Sequence, residues 1–174
     1  RTSELAYLYN CVTGCTIMGK KSNIKNIIPI PTYSKHVLHD HWIALANSIN
    51  GKVAYLPEGL IKYRQHGTNQ IGIKHTMSKN NSVEEIRKHF IDVKLGVFGT
   101  YVNNPQIFTE KLRKRNEKAY KYFEMLAQKK NINFRGWETF YNLYKNESVK
   151  YYMENFLILN MPCVVRLVLR KKGD

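Results

Sequence analysis

Two residues between His39 and Gly72 have the types and positions that chemistry at a cleft requires. Asp40 stands just before an apolar pattern typical of a helix, and His66 follows a segment with the composition of a strand. Both ends of such a unit can face one cleft. A carboxylate at the start of a helix stays ionised, because free N–H groups and the helix dipole favour its charge. Such a group can take a proton from an attacking hydroxyl, so the sequence predicts an enzyme with Asp40 as its base.

Each of these residues also has an ordinary structural interpretation. Aspartate is a preferred N-cap, so Asp40 could serve only to begin a helix, although His39, His41 and Trp42 crowd it more than a cap requires. His66 could ligate a metal as a neutral imidazole, or lie on the surface at a strand end. Arg64 points to the same side of the predicted strand as His66 and could pair with phosphate oxygens or with a surface carboxylate.

Five further positions are candidates for contact with substrate or metal, or for simple structural roles. Asn69 and Gln70 could hydrogen-bond a sugar or act only as polar loop residues, and Gly14 could let a substrate approach the backbone or mark a bulge. Cys11 and Cys15 could form half of a zinc site, but no second Cys/His pair completes it, so two small side chains in a buried strand are the favoured explanation. The odd cysteine total is not a disulfide framework and favours a reducing compartment.

The elements that must position these residues fall into two regions. Residues 1–75 are predicted to be the acceptor-side, catalytic α/β half of a larger domain, and residues 76–174 to be helical and basic. Ser82-Val83-Glu84-Glu85 is a capping-box signature at the start of the second region. Period-two and apolar patterns predict strands at 5–18, 53–56 and 60–64. Helical spacing predicts helices at 42–49, 83–97, 104–126, 137–144 and 149–157, with a short last segment from Pro162.

Composition limits the classes of protein to which the chain can belong. A length of 174 residues suits one ordinary domain with a real core. The formal net charge of +15 implies an acidic partner, which could be nucleic acid, anionic lipid or a phosphorylated substrate. No signal peptide is visible, and no run reaches the roughly 18 apolar residues of a spanning helix. The chain lacks an initiating Met, which is consistent with a piece of something longer.

Five motifs that occur in a fixed order along the sequence resemble those of a known protein family. The motifs are Val12-Thr13-Gly14-Cys15-Thr16, Pro29-Ile30-Pro31, His39-Asp40-His41-Trp42, Asn50-Gly51-Lys52-Val53-Ala54-Tyr55-Leu56 and Tyr63-Arg64-Gln65-His66-Gly67-Thr68-Asn69-Gln70-Ile71-Gly72. In this order they resemble the carboxy-terminal half of a bacterial family 2 glycosyltransferase of the GT-A fold. The rhamnosyltransferase-like branch, which builds surface polysaccharides, is the nearest kin. The resemblance spans about residues 10–75, and the helices beyond carry no motif that we can assign.

The resemblance implies an inverting transfer of sugar from a nucleotide-sugar donor to a glycan or lipid-linked acceptor. Asp40 matches the acid that acts as base on the acceptor hydroxyl, and His66 matches a position that assists the metal–diphosphate end of the site. His39 and Trp42 match two residues that shape the acceptor or sugar pocket. Gly14 and Cys15 match two residues on the strand beside the donor sugar.

The same family also needs a first half that this sequence does not contain. That half provides a parallel nucleotide-binding sheet and an Asp-x-Asp motif for a divalent metal, Mg²⁺ or Mn²⁺, and no Asp-x-Asp occurs here. His66 alone would hold such an ion poorly, because both metals prefer several oxygen ligands. We therefore expect the 174-residue chain alone neither to transfer sugar nor to bind nucleotide or metal tightly. The parent protein is expected in the cytoplasm.

Two other readings of the sequence stay open. The charge and the many aromatic residues also suit a basic nucleic-acid-binding module, although no helix-turn-helix, zinc-finger or RNP signature is present and nucleic acid is not expected as a partner. The helical region could instead dock on an anionic membrane, on the inner face, through the apolar and basic residues 162–174. That tail could equally be a core helix with a solvated basic end.

Overall fold

A computed structural model describes residues 6–31, 34, 36–62, 64, 82–128 and 136–165, except for the side chains of residues 24 and 26. Five principal helices lie within these ranges. They are α1 (His39–Asn50), α2 (Val83–Asn103), α3 (Glu110–Gln128), α4 (Trp137–Tyr144) and α5 (Val149–Asn160). Residues 6–8 and 162–165 are also helical, and 3-10 turns cover Gly14–Thr16, Lys21–Asn26 and Pro105–Ile107.

The helices begin and end largely where local chemistry dictates. The capping box predicted at the start of α2 is confirmed: Ser82 Oγ accepts the Glu85 N–H, and the Glu85 carboxylate accepts the Ser82 N–H at 2.8 Å. Helix α1 begins at His39, three residues before the predicted start, and ends at Asn50, one residue after the predicted end, with Gly51 following it. The predicted start of α3 near residue 104 is too early, because Phe108 takes an extended backbone that directs its ring into the core.

A single buried cluster joins the amino-terminal residues to the helical region. Helices α2 and α3 pair along their length, and the rings of Phe98 and Phe123 stack at 5.7 Å where they meet. Tyr7 and Trp42 enter the same cluster from the first half of the chain. Burial of such large side chains is the dominant favourable contribution to folding.

The predicted α/β fold class is wrong for the part of the chain that the structure describes, because no residue there forms a β-strand. Residues 6–8 of the first predicted strand are helical and buried. Residues 53–62, predicted as two strands around a turn, are exposed and have no neighbouring strand within the described ranges. A strand needs the N–H and C=O groups of a partner, so β-favouring composition alone was not sufficient.

Some predictions concern residues that the structure does not describe. The predicted boundary between residues 75 and 76 and the basic end of the tail, residues 166–172, lie outside the described residues. Among the described helices, none is both long enough and apolar enough to cross a membrane.

The segment before α1 packs closely on α2 at a glycine. A Cβ on Gly96 would overlap the His36 ring, lying nearest to its Cδ2 and 2.6 Å from its Cγ. One turn further along α2, Thr100 Oγ1 lies 2.8 Å from Ser34 Oγ. The absence of a side chain at position 96 therefore lets the His36 ring lie directly against the helix backbone.

We expect Gly96→Ala to lower the free energy of unfolding by about 1–3 kcal/mol, because the added methyl must displace the His36 ring. At a helical site with free space, replacing glycine by alanine would instead stabilise the protein by up to about 1 kcal/mol. A net loss of stability would therefore show that the added methyl meets the His36 ring. Urea unfolding followed by circular dichroism measures the change. Gly59→Ala is the control, since a Cβ there meets nothing within 4 Å. A Gly96→Ala protein as stable as the parent would contradict this packing.

Candidate active site at the start of helix α1

Asp40 lies in the first turn of α1 and is only 7% exposed. The prediction that Asp40 is the N-cap residue is wrong. Leu38 occupies the N-cap position, and its side chain makes no capping hydrogen bond. The Asp40 carboxylate nevertheless accepts a first-turn amide, because the His41 N–H donates to Oδ1 at 2.7 Å. Asn10 Nδ2 donates to the same oxygen at 3.1 Å. No donor among the described residues reaches Oδ2, so this oxygen can still accept a proton.

The loop that contains Gly14 lies directly on this turn of α1. A Cβ on Gly14 would be 2.8 Å from His39 Nε2 and 3.8 Å from Asp40 Cβ. Asn10 holds the start of the loop, since its Oδ1 accepts the Val12 N–H at 3.2 Å while its amide holds Asp40. The structure thus brings together Gly14, His39 and Asp40, three of the predicted site residues. Cys15 follows in the same 3-10 turn and is exposed.

Trp42, predicted to shape a pocket, lies inside the core. Its side chain is 0% exposed, its ring packs edge-on against Phe108, and its Nε1 donates to the carbonyl of Ile27 at 2.9 Å. A ring in this position cannot line a surface of this chain. Its hydrogen bond instead fixes the segment around Ile27 beside α1.

The predicted diphosphate end of the site lies mostly where the structure gives no description. Arg64 is exposed, whereas His66 and Asn69 are outside the described residues. Within the described ranges, no three His, Cys, Asp or Glu side chains converge in a way that could hold a metal ion. The described residues therefore do not fit the divalent metal that the resemblance implies, and we derive no step through it.

Behind Asp40 lies a buried polar row. The sequence predicted that His41 crowds Asp40, but it did not predict the hydrogen bonds of this row. His41 is 2% exposed, and its Nε2 lies 2.7 Å from the Ala6 carbonyl oxygen, so Nε2 carries the proton that is donated. Tyr101 OH donates to the Tyr7 carbonyl at 3.0 Å, and Lys94 Nζ donates to the Leu8 carbonyl at 2.6 Å. Each of the last three carbonyls of the helical residues 6–8 thus has a side-chain donor.

Burial changes the protonation of this row. It lowers the pKa of His41, an effect that the hydrogen bond to the Ala6 carbonyl partly opposes. It also lowers the pKa of Lys94 from 10.5 to about 7, and Glu147 counteracts this weakly. Lys94 lies 4.2 Å from the centroid of the Tyr9 ring, a cation–π contact that favours the charged amine.

Asn10 was also missed, and nothing in the sequence signals it, because its partner is thirty positions away. Lys94 did carry a signal. It stands three residues after Ile91 and four before Phe98, on the buried stripe of α2. A lysine in that register is predicted to be buried and partnered.

A separate cleft of about 390 Å³ lies where α2 runs into α3. Tyr101, Pro105, Arg113 and Asn116 are among the residues that line it, and none of the predicted site residues does.

Comparison with known proteins adds no assignment for either site. Neither a scan of protein-family models nor searches of curated proteins and solved structures return a match to this chain.

The lowered pKa of Lys94 predicts that the protein becomes more stable as the pH rises above about 7. Between this pKa and the ordinary value of 10.5, the unfolded chain binds a proton that the folded chain does not. Stability should then rise by up to about 1.4 kcal/mol per pH unit. Near pH 10 the buried tyrosines, whose pKa values burial raises, begin to reverse the trend. Urea unfolding at several pH values between 7 and 9.5 measures the slope.

Lys94→Met should remove most of this slope, whatever it does to stability at a single pH. Lys114→Met is the matched control, because Lys114 is an exposed residue of α3 and its replacement should leave the slope unchanged. Equal slopes in the Lys94→Met protein and the parent would show that Lys94 keeps its proton in the folded state.

Proposed function

We propose that this chain is the acceptor-side part of an inverting glycosyltransferase, similar to family 2 enzymes of bacterial surface polysaccharide synthesis. The enzyme moves a sugar from a nucleotide-sugar donor to a hydroxyl of a glycan or lipid-linked acceptor. Asp40 is its base. Nucleotide sugars are made in the cytoplasm, so the proposal places the reaction on that side of the membrane.

The observation that supports the proposal best is the state of the Asp40 carboxylate. One oxygen is held by Asn10 and by the His41 amide, and the other has no donor among the described residues. The carboxylate is thus fixed in orientation and can still take a proton. Gly14 and His39, from two separate motifs of the resemblance, lie against the same turn.

The chemistry assigned to Asp40 is a single displacement. The acceptor oxygen attacks the anomeric carbon while the bond from that carbon to the diphosphate oxygen breaks. The acceptor's proton passes to Asp40 Oδ2, and the nucleoside diphosphate leaves with its electron pair. Attack from the face opposite the leaving group inverts the anomeric carbon. A fixed carboxylate lowers the barrier because no bound water must be reorganised around it during the proton transfer.

The donor side of the proposed enzyme requires residues other than those described here. The sequence contains no Asp-x-Asp, and no described cluster fits a divalent ion. The proposal therefore assigns donor and metal binding to other residues of a longer parent protein. The present chain supplies the base and the surface around Gly14 and His39.

In the parent protein, Asp40→Asn should lower the rate of transfer by about 10²–10⁴-fold, the usual contribution of a general base. Asparagine keeps an oxygen that can accept from Asn10 and from the His41 amide, so folding should be retained. A panel of uridine and thymidine diphosphate sugars is assayed by release of nucleoside diphosphate.

Asp92→Asn is the matched control for this experiment. Asp92 is an exposed acid on α2, and its replacement changes the net charge by the same amount. Loss of activity in both variants, or in neither, would rule out Asp40 as the base.

The proposal also predicts weak donor binding by the isolated chain, because the diphosphate and metal ligands are assigned elsewhere. Calorimetric titration with the same panel of nucleotide sugars, with Mg²⁺ or Mn²⁺ present, should detect no micromolar affinity. Micromolar binding of any one donor would mean that this chain has its own donor site, and the assignment of that site to other residues would be wrong.

A further inference from the structure

Residues 17–28, which we call the basic loop, form an exposed surface of unusual composition. Met18 is 99% exposed and Ile28 57% exposed. Lys20, Lys21 and Lys25 are exposed between them. No aspartate or glutamate occurs between residues 11 and 39, so no carboxylate on this stretch of chain neutralises the three lysines.

Both ends of the basic loop are attached to α1. Upstream, Gly14 lies against His39 and Asp40. Downstream, the carbonyl of Ile27 accepts the hydrogen bond from the buried Trp42 ring. Within the loop, the Asn23 N–H donates to the Lys20 carbonyl at 2.9 Å, which closes a turn of the 3-10 segment. The exposed side chains therefore extend from a base fixed beside the candidate active site.

Exposed apolar side chains between unneutralised lysines are typical of surfaces that contact anionic lipid. The apolar groups enter the boundary of the acyl chains, while the lysine stems follow them and leave their ammonium groups among the phosphates. Three lysines at one place also add attraction to negatively charged headgroups.

The exposed apolar surface on α4 lacks this complementarity. Trp137 and Tyr141 on α4 are each 47% exposed. Residues 137–160 contain three glutamates and only two lysines, so no net positive charge accompanies these rings. This difference in charge makes the basic loop better suited to an anionic membrane than the surface of α4.

We propose that the basic loop docks the protein on an anionic lipid bilayer, with Met18 and Ile28 at the acyl boundary and the three lysines among the headgroups. This inference does not rest on the sugar-transfer reaction, because it follows from exposure and charge alone. It also differs from docking through residues 162–174, which the sequence suggested.

The test is co-sedimentation of the 174-residue chain with vesicles of phosphatidylcholine containing about 30% phosphatidylglycerol, at physiological salt. The triple variant Lys20→Gln, Lys21→Gln, Lys25→Gln should bind about 100-fold more weakly, since each lysine near such a surface is worth about fivefold. Met18→Ser should weaken binding several-fold. Met18→Trp should strengthen it and give a blue-shifted fluorescence on vesicles.

A second triple variant with the same change in charge is the control. Lys111→Gln, Lys114→Gln, Lys118→Gln alters three exposed lysines of α3, and it should weaken binding by no more than about threefold. Equal losses in the two triple variants would show that overall charge, not the loop, attracts the protein, and would overturn the proposal. Wild-type binding by the basic-loop variant would overturn it as well, and would favour the tail.

Binding of the basic loop to a second copy of the chain, or to RNA, would also decide against the proposal. If Met18→Ser converts a dimer into a monomer in light scattering without changing vesicle binding, the loop contacts a second copy of the chain and the proposal is wrong. It is equally wrong if the basic-loop variant loses affinity for single-stranded RNA but not for vesicles. Unfolding curves of each variant confirm that binding is compared between folded proteins.

Discussion

The structure depends on how the carbonyl groups at the end of the helical residues 6–8 find partners. Carbonyls at a helix end have no partner within the helix, and a buried one costs about 1–3 kcal/mol if it stays unpaired. Here His41 of α1 and Tyr101 and Lys94 of α2 each donate to one of them. Since the donors come from two helices, the same three bonds hold the amino-terminal segment, α1 and α2 in one arrangement.

This arrangement also determines the candidate site. Leu8 is the last of the three residues, and the chain reaches Asn10 only two positions later. The position of Leu8 therefore places the Asn10 amide against Asp40 and starts the loop that returns to α1 at Gly14. The protonation of Lys94 bears on the same region, because a charged amine at that depth is stabilised by few polar groups.

Local patterns predicted the helices because an amphipathic helix needs only its own sequence to satisfy its backbone. Strands do not have this property, and residues 53–62 have β-favouring composition without a partner in the described chain. The proximity of Gly14 to Asp40 could not be predicted, since spacing along the chain does not fix it. The row behind Asp40 was missed because its acceptors are main-chain carbonyls, which carry no mark in the sequence.

The two proposed properties are linked by the rigidity of α1. The chain passes Asp40 at Gly14, just before the basic loop, and the loop returns to α1 at the hydrogen bond between Ile27 and Trp42, a residue of the core. A bilayer that bound Met18 and the lysines would therefore set the height of Asp40 above the headgroups. A lipid-linked acceptor presents its hydroxyl in that same layer. Docking would then replace a three-dimensional search for the acceptor by a two-dimensional one, without any change in the chemistry at the carboxylate.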